Sequence, residues 1–299
     1  MKQARHIIVA VAATVAGPAF AQDDGTGPRG NFELEYLRSD GSSDVLLYGD
    51  LGFSYRGAGA GGIGLGFDLG LDSSYNLSEG DNATAFIAAA VFSFGFGDLA
   101  VGMPQSIGEM LVNRPSFAGN GGVDEVLGLL VPPATGNIAR LSDLNRFGVR
   151  FDASAGQLRY GLSAHKTQDL DGMVLQAAGE YALGQGAVEG LLELDTETGK
   201  PGGTVGVTQS FGQVDVGAYM GWQRTIVRSD SLHASVDYHM SDNLTFGGDF
   251  ARVSLVGAQT NIYGASMEYG FGNGAYGQLG IVDGSDTSTT YDLSVGIRF

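Results

Sequence analysis

Gly62-Ile63-Gly64-Leu65-Gly66-Phe67-Asp68-Leu69-Gly70-Leu71-Asp72 decides the fold. Apolar side chains occupy every odd position and glycine or aspartate every even one. A period of two sends the two sets to opposite faces of a strand. The pattern returns at Val45-Leu47-Gly49-Leu51-Phe53-Tyr55, opposed by Asp50, Gly52, Ser54 and Arg56. It returns again at Val214-Val216-Ala218-Met220-Trp222, opposed by Asp215, Gly217, Tyr219 and Gln223. It closes the chain at Tyr291-Leu293-Val295-Ile297-Phe299, opposed by Asp292, Ser294, Gly296 and Arg298.

Working outward from these segments, sixteen strands are expected near 31–39, 44–57, 61–73, 82–95, 98–104, 145–154, 157–167, 172–183, 187–195, 203–211, 214–224, 231–240, 244–253, 261–271, 275–283 and 289–299. Ala155-Gly156, Gly184-Gln185-Gly186, Ser241-Asp242-Asn243 and Gly272-Asn273-Gly274 read as tight turns, as does Ala58-Gly59-Ala60. The intervening connections, such as 196–202 and 225–230, are longer and polar. Short turns at one end and long loops at the other point to a transmembrane antiparallel β-barrel.

A soluble sandwich alternates too, so the aromatic residues arbitrate. Each even-numbered strand carries a ring on its apolar face near its C-terminal end. These are Tyr55, Phe94, Phe151, Tyr181, Phe211, Tyr238, Phe271 and Phe299. Even strands all run toward the short turns, so the rings gather at one height, as in the girdle of a membrane barrel. The glycine and charged face then lines an aqueous lumen.

The first residues set the compartment. Lys2 and Arg5 precede an apolar run from Ile7 to Ala16, and Ala19-Phe20-Ala21 has the small-x-small form of a signal-peptidase site. Ten apolar residues are too few for a spanning helix of about 20. A cleaved signal peptide at 1–21 is expected, with the barrel at 22–299. Its removal takes the formal charge from −17 to −19, because two cations and no acid are lost. That charge excludes a basic nucleic-acid-binding face. The absence of cysteine removes disulfides, thiol nucleophiles and thiolate zinc sites.

Residues 105–144 break the period. They hold Pro115, Pro132 and Pro133 and two short helical candidates, Ser106 to Leu111 and Asp124 to Leu130. Ser106 and Glu109 have capping-box spacing. Forty residues exceed an ordinary loop, and Met110, Leu111, Phe117, Val126, Leu127, Leu129 and Leu130 make this one apolar enough to pack on a wall.

Gly97-Asp98-Leu99-Ala100-Val101-Gly102, then Asn145-Arg146-Phe147-Gly148-Val149-Arg150-Phe151, and the terminal strand ending at Phe299 resemble the trimeric general-diffusion porins of Gram-negative outer membranes. The resemblance spans strand count and loop order over the region after the signal peptide, and the C-terminal strand is its more specific part. The segment Asp23 to Gly30 departs from it, because the family starts its barrel at once. The resemblance implies that the third loop folds into the barrel as a constriction. Glu109, Asp124 and Glu125 on the loop would face Arg146, Arg150, Arg159 and Arg56 on the wall. It implies outer-membrane lipid as the surroundings, a homotrimer, and a final strand with Phe299 read by the barrel-insertion machinery.

Other patterns have plainer readings. His233 and His239 flank Asp237 on one face, but a metal site needs three or four converging ligands. His239 and Ser241 have a spacing resembling that of outer-membrane phospholipase, yet His239 faces the lumen and Ser241 sits at a turn, so an enzyme is not expected. Gly57-x-Gly59-x-x-Gly62 leads into a strand, with no helix to hold a pyrophosphate. No cofactor is expected. Asp283 and Asp286 offer oxygen ligands of the kind Ca²⁺ takes, but a solvated loop is the plainer reading of them. Passive diffusion of small hydrophilic solutes and ions leads. The alternatives are a substrate-specific channel, which needs a continuous ladder beyond Tyr48, Tyr219 and Tyr276, and a structural or adhesive barrel.

Overall fold

The computed structural model describes residues 27–57, 62–119, 146–167, 172–224, 228–255, 258–285 and 287–299. Sixteen strands form one closed antiparallel barrel: β1 Gly27–Ser39, β2 Ser42–Gly57, β3 Gly64–Asn76, β4 Asn82–Phe94, β5 Gly97–Met103, β6 Arg146–Ala155, β7 Leu158–Thr167, β8 Val174–Ala182, β9 Gly186–Asp195, β10 Pro201–Phe211, β11 Val214–Gln223, β12 Ser229–Ser241, β13 Leu244–Leu255, β14 Ala258–Gly272, β15 Ala275–Gly284 and β16 Thr287–Arg298. Each strand pairs with its sequence neighbours, and β1 pairs with β16. A closed ring leaves no unpaired edge, which is what a sheet in hydrocarbon requires.

The seam corrects one expectation. Gly27 to Gly30, read from sequence as a segment before the barrel, are the opening rungs of β1 and pair with Ser54 to Leu51. Pro28 lies beyond the last rung shared with β16, Asn31 with Arg298, so its missing N–H breaks no ladder there. Gly30 donates to the Phe299 carbonyl at 2.8 Å and Phe299 donates back at 3.0 Å, which joins the two ends of the wall. A Cβ on Gly30 would come within 2.8 Å of the Asp50 carbonyl and the Phe299 ring, so only glycine fits.

Connection lengths are less polarised than the sequence reading expects. β1 and β2 join through Asp40-Gly41, both at positive φ, as a tight hairpin demands. Residues 256–257 and 285–286 are equally short links. Length at that end resides in 77–81, 168–173, 196–200, 224–228 and above all 104–145.

The outer wall is apolar and open to the surroundings. Leu69, Leu162, Leu192 and Met220 are 50–60% exposed, although they sit well inside their strands. Their inward neighbours are polar and buried, among them Asp68, Ser163, Gln176 and Glu193. This inverts the arrangement of a soluble domain. Tyr55, Tyr181, Phe211, Tyr238 and Phe271 are exposed at the turn end, where Phe96 stacks on Phe94 at 5.4 Å and lies tilted against Phe151 at 6.1 Å. The described residues contain no helix long and apolar enough to cross a membrane; the strands form the wall.

Candidate functional site

The interior is occupied by the segment that follows β5. Pro104 turns the chain inward, and a five-residue helix, α1 Ile107–Leu111, begins at Ser106. The expected capping box is present. Ser106 Oγ accepts from Glu109 N at 3.3 Å, and Glu109 Oε2 accepts from Ser106 N at 2.8 Å. The first-turn N–H groups left over by any helix find partners on the wall. Ile107 N donates to Ser163 of β7 at 3.2 Å and Gly108 N to Gln176 of β8 at 3.2 Å.

Beyond α1 the chain follows the wall from strand to strand. Asn113 N donates to Glu189 of β9 at 2.8 Å, and the Tyr219 hydroxyl of β11 donates to the Asn113 carbonyl at 3.0 Å. Ala118 N donates to Asp249 of β13 at 2.9 Å. Apolar contacts accompany these bonds. Ile107, Leu111 and Val112 pack with Ala178, Leu191 and Tyr219, while Phe117 and Ala118 pack with Ala251, Val253 and Val282. Ile107, Leu111 and Phe117 are almost wholly buried, worth about 1.5–3 kcal/mol each in transfer terms. Lumen-facing glycines make the room. A Cβ on Gly161 would lie 2.5 Å from Ile107, and one on Gly264 would lie 2.7 Å from Ala118.

The four arginines singled out from sequence all face inward, and each already has an acidic partner. Arg146 Nη1 donates to both Glu109 oxygens at 2.9 Å. Arg150 donates to Asp152 at 2.9 Å, to Asp68 at 3.3 Å and to the Gln105 carbonyl at 3.2 Å. Arg56 bridges Asp68 at 2.8 Å and Asp98 at 3.2 Å, and Arg159 meets Glu180 at 2.9 Å. Loop and wall therefore join directly at Arg146. Among the described residues, Arg150, expected to face a loop carboxylate, is held by wall aspartates and touches the loop at the Gln105 carbonyl. Asp124, Glu125 and the second helical candidate lie outside the described residues.

Burial pushes the Glu109 carboxyl up, but the Arg146 charge and the Ser106 hydrogen bonds outweigh it and leave its pKa below the ordinary 4.5. With Arg146 only 5% exposed, this is an ion pair that water screens weakly. Ser163, Gln176, Glu189 and Asp249 are functional candidates that the sequence reading did not single out. Their inward parity was visible, but nothing local marked them as partners of residues 107–118.

The remaining patterns are accounted for on the wall. His233 bonds Asp249 at 2.9 Å. His239 bonds Thr245 at 2.9 Å and Asp215 at 2.8 Å, while Ser241 Oγ accepts from Asn243 N at 3.3 Å. Asp283 accepts from Gly284 N at 2.9 Å and from the Thr289 hydroxyl at 3.2 Å, and Asp286 is outside the described residues. Among the described residues no three acidic or histidine side chains could hold a metal ion.

No family model matches the chain, and no curated protein matches it. Solved structures do. A variant of the Rhodopseudomonas blastica porin with two introduced tryptophans superposes with a TM-score of 0.65 at 12% identity, covering 91% of this chain and 99% of that one. Another variant of that porin, with a lysine and an arginine changed to alanine, gives 0.65 at 14% identity, covering 91% and 98%. A triple variant from the same organism gives 0.63 at 14%, with the same coverage. At such identities the shared property is the fold, and this chain has the general-diffusion porin fold.

Proposed function

We propose that this barrel is an outer-membrane pore through which small hydrophilic solutes and ions diffuse passively, narrowed by the segment folded in after β5. One observation carries the reading: an apolar belt faces outward while a hydrogen-bonded, charged wall faces inward around residues 104–119. Such a wall offers water-like partners to a hydrated solute. Tyr219 and Tyr276 point inward, but each is tied down by hydrogen bonds, to Asn113 and Glu189 and to Asn31 and Glu33 respectively. They do not favour a substrate-specific ladder.

The same reading places the chain in the outer membrane after loss of residues 1–21, as a homotrimer inserted by the barrel-assembly machinery. The inward segment and its ion pairs set the aperture. The test is single-channel conductance in planar bilayers, with salts and neutral sugars of increasing size. Stepwise, ohmic conductance that falls as permeant sugars fill the pore is the expected result. Insertion without ion-conducting steps would overturn the proposal.

A further inference from the structure

The outer wall carries one feature that a diffusion pore does not need. At the end of the barrel where β11 and β12 join, a cleft of about 410 Å³ opens on the outward face. Met220, Trp222 and Leu232 form its apolar part, and Arg224, Asp230 and Arg252 its polar part. Parity fixes the direction: Met220 pairs with Leu232 and Leu232 with Arg252, and all three are exposed on the belt side. Arg224 is committed to Asp230 at 2.6 Å and to the Gln223 and Ser229 carbonyls. Among the described residues, Arg252 gives its Nε to Asn261 at 3.0 Å and forms no ion pair. Two guanidinium groups against one carboxylate leave the cleft positive, on a chain whose formal charge is −17.

Height on the wall gives the cleft its meaning. One row nearer the middle of the barrel, Phe250 and Tyr263 pair outward with ring centres 5.4 Å apart. Phe250 is half-buried, but Tyr263 is 55% exposed and Trp222 lines the cleft itself, and tryptophan and tyrosine rings gather at the headgroup boundary of a bilayer. Arg252 therefore stands at headgroup level, with hydrocarbon below it. The row beneath the cleft is Ala218, Ala234 and Phe250, so two short side chains leave a shallow depression leading down from it. A positive pocket above an apolar furrow matches an amphiphile with an anionic head.

We infer that this cleft binds an anionic membrane lipid, its phosphate on Arg252 and its chain lying over Met220 and Leu232. The inference rests on the membrane reading above. Trp222, the only tryptophan of the chain, lines the cleft and reports on it directly. The experiment reconstitutes the purified barrel in vesicles of brominated phosphatidylcholine, with or without brominated phosphatidic acid, and follows bromine quenching of Trp222. A juxtamembrane arginine attracts an anionic lipid by roughly 1 kcal/mol, so phosphatidic acid should be preferred about fivefold. R252Q should bring the preference close to one, and R252K should keep most of it, which separates charge from misfolding. Equal quenching by both lipids in the parent protein, or a preference that survives R252Q, would overturn the inference while leaving the barrel in its bilayer. Quenching by neither lipid would remove the membrane reading, and this inference with it.

Discussion

Replacing Glu109 by glutamine tests whether the Arg146 contact is what keeps the inner segment docked. Arg146 is 5% exposed and Glu109 19%, and Arg146 donates to both carboxylate oxygens. Removing one partner from a fully buried pair costs about 3–5 kcal/mol. The pair borders a solvated lumen, so we assign E109Q about 2–3 kcal/mol. That raises the ratio of released to docked segment roughly 30–150-fold. The bonds to Ser163, Gln176, Glu189 and Asp249 remain, so docking persists and mean conductance changes little. What rises is the frequency of brief excursions to a higher conductance level in single-channel records. Adding R146Q removes the stranded charge and should recover part of the loss, because the two changes are coupled. The parent protein should show a pH dependence with a defined sign. The Glu109 pKa is depressed, so its contribution is complete above the ordinary 4.5 and is lost as pH falls through the lower folded value. Excursions should be equally rare at neutral pH and just above 4.5, increase below that, and increase less in E109Q. Purely additive effects of E109Q and R146Q, or excursion rates unmoved by either, would refute the latch.

Gly264→Val places branched carbon where a Cβ already lies 2.7 Å from Ala118 and 2.9 Å from Phe117. Overpacking of about 1–3 kcal/mol should loosen the Phe117–Ala118 stretch and raise the same excursions, without loss of the heat-resistant barrel on gels. Arg150→Gln frees Asp68 and Asp152 of one shared cation, and reversal potential in a KCl gradient should move toward cation preference. An unchanged potential would remove Arg150 from the selectivity argument. Deleting Phe299 breaks the reciprocal bonds with Gly30 and the stack on Phe32, whose ring centre lies 6.3 Å away. The inserted fraction should fall further than after loss of an exposed loop residue such as Glu79, and equal yields would count against it.

How much of this was legible follows from the range of each interaction. A period of two needs only neighbours along the chain, so the inward parity of Arg146, Arg150 and Arg159 could be read directly. The capping box of α1 spans four residues and was equally plain. Gly27 to Gly30 were missed because glycine and proline mark turns, and only the Gly30–Phe299 seam makes them strand. The anchors of the inner segment lie far away in sequence, Ser163 by 56 positions from Ile107 and Asp249 by 131 from Ala118. No local signal selects them from the other inward polar residues. Arg150 is intermediate. Asp152, two positions along the same strand, shares its face by necessity, and that alone could have shown a wall carboxylate within reach. The pairings then bear on selectivity. Opposed unpaired charges would set up a transverse field, whereas charges in contact at 2.8–3.3 Å largely cancel at the distance of a passing ion. The chain has 33 acidic residues against 16 basic ones. With Arg56, Arg146, Arg150 and Arg159 each already engaged by a carboxylate, the excess that a permeating ion meets is negative. Cation preference should therefore grow whenever one of these four arginines is neutralised, and it should grow most where one arginine serves two carboxylates, as Arg56 and Arg150 do.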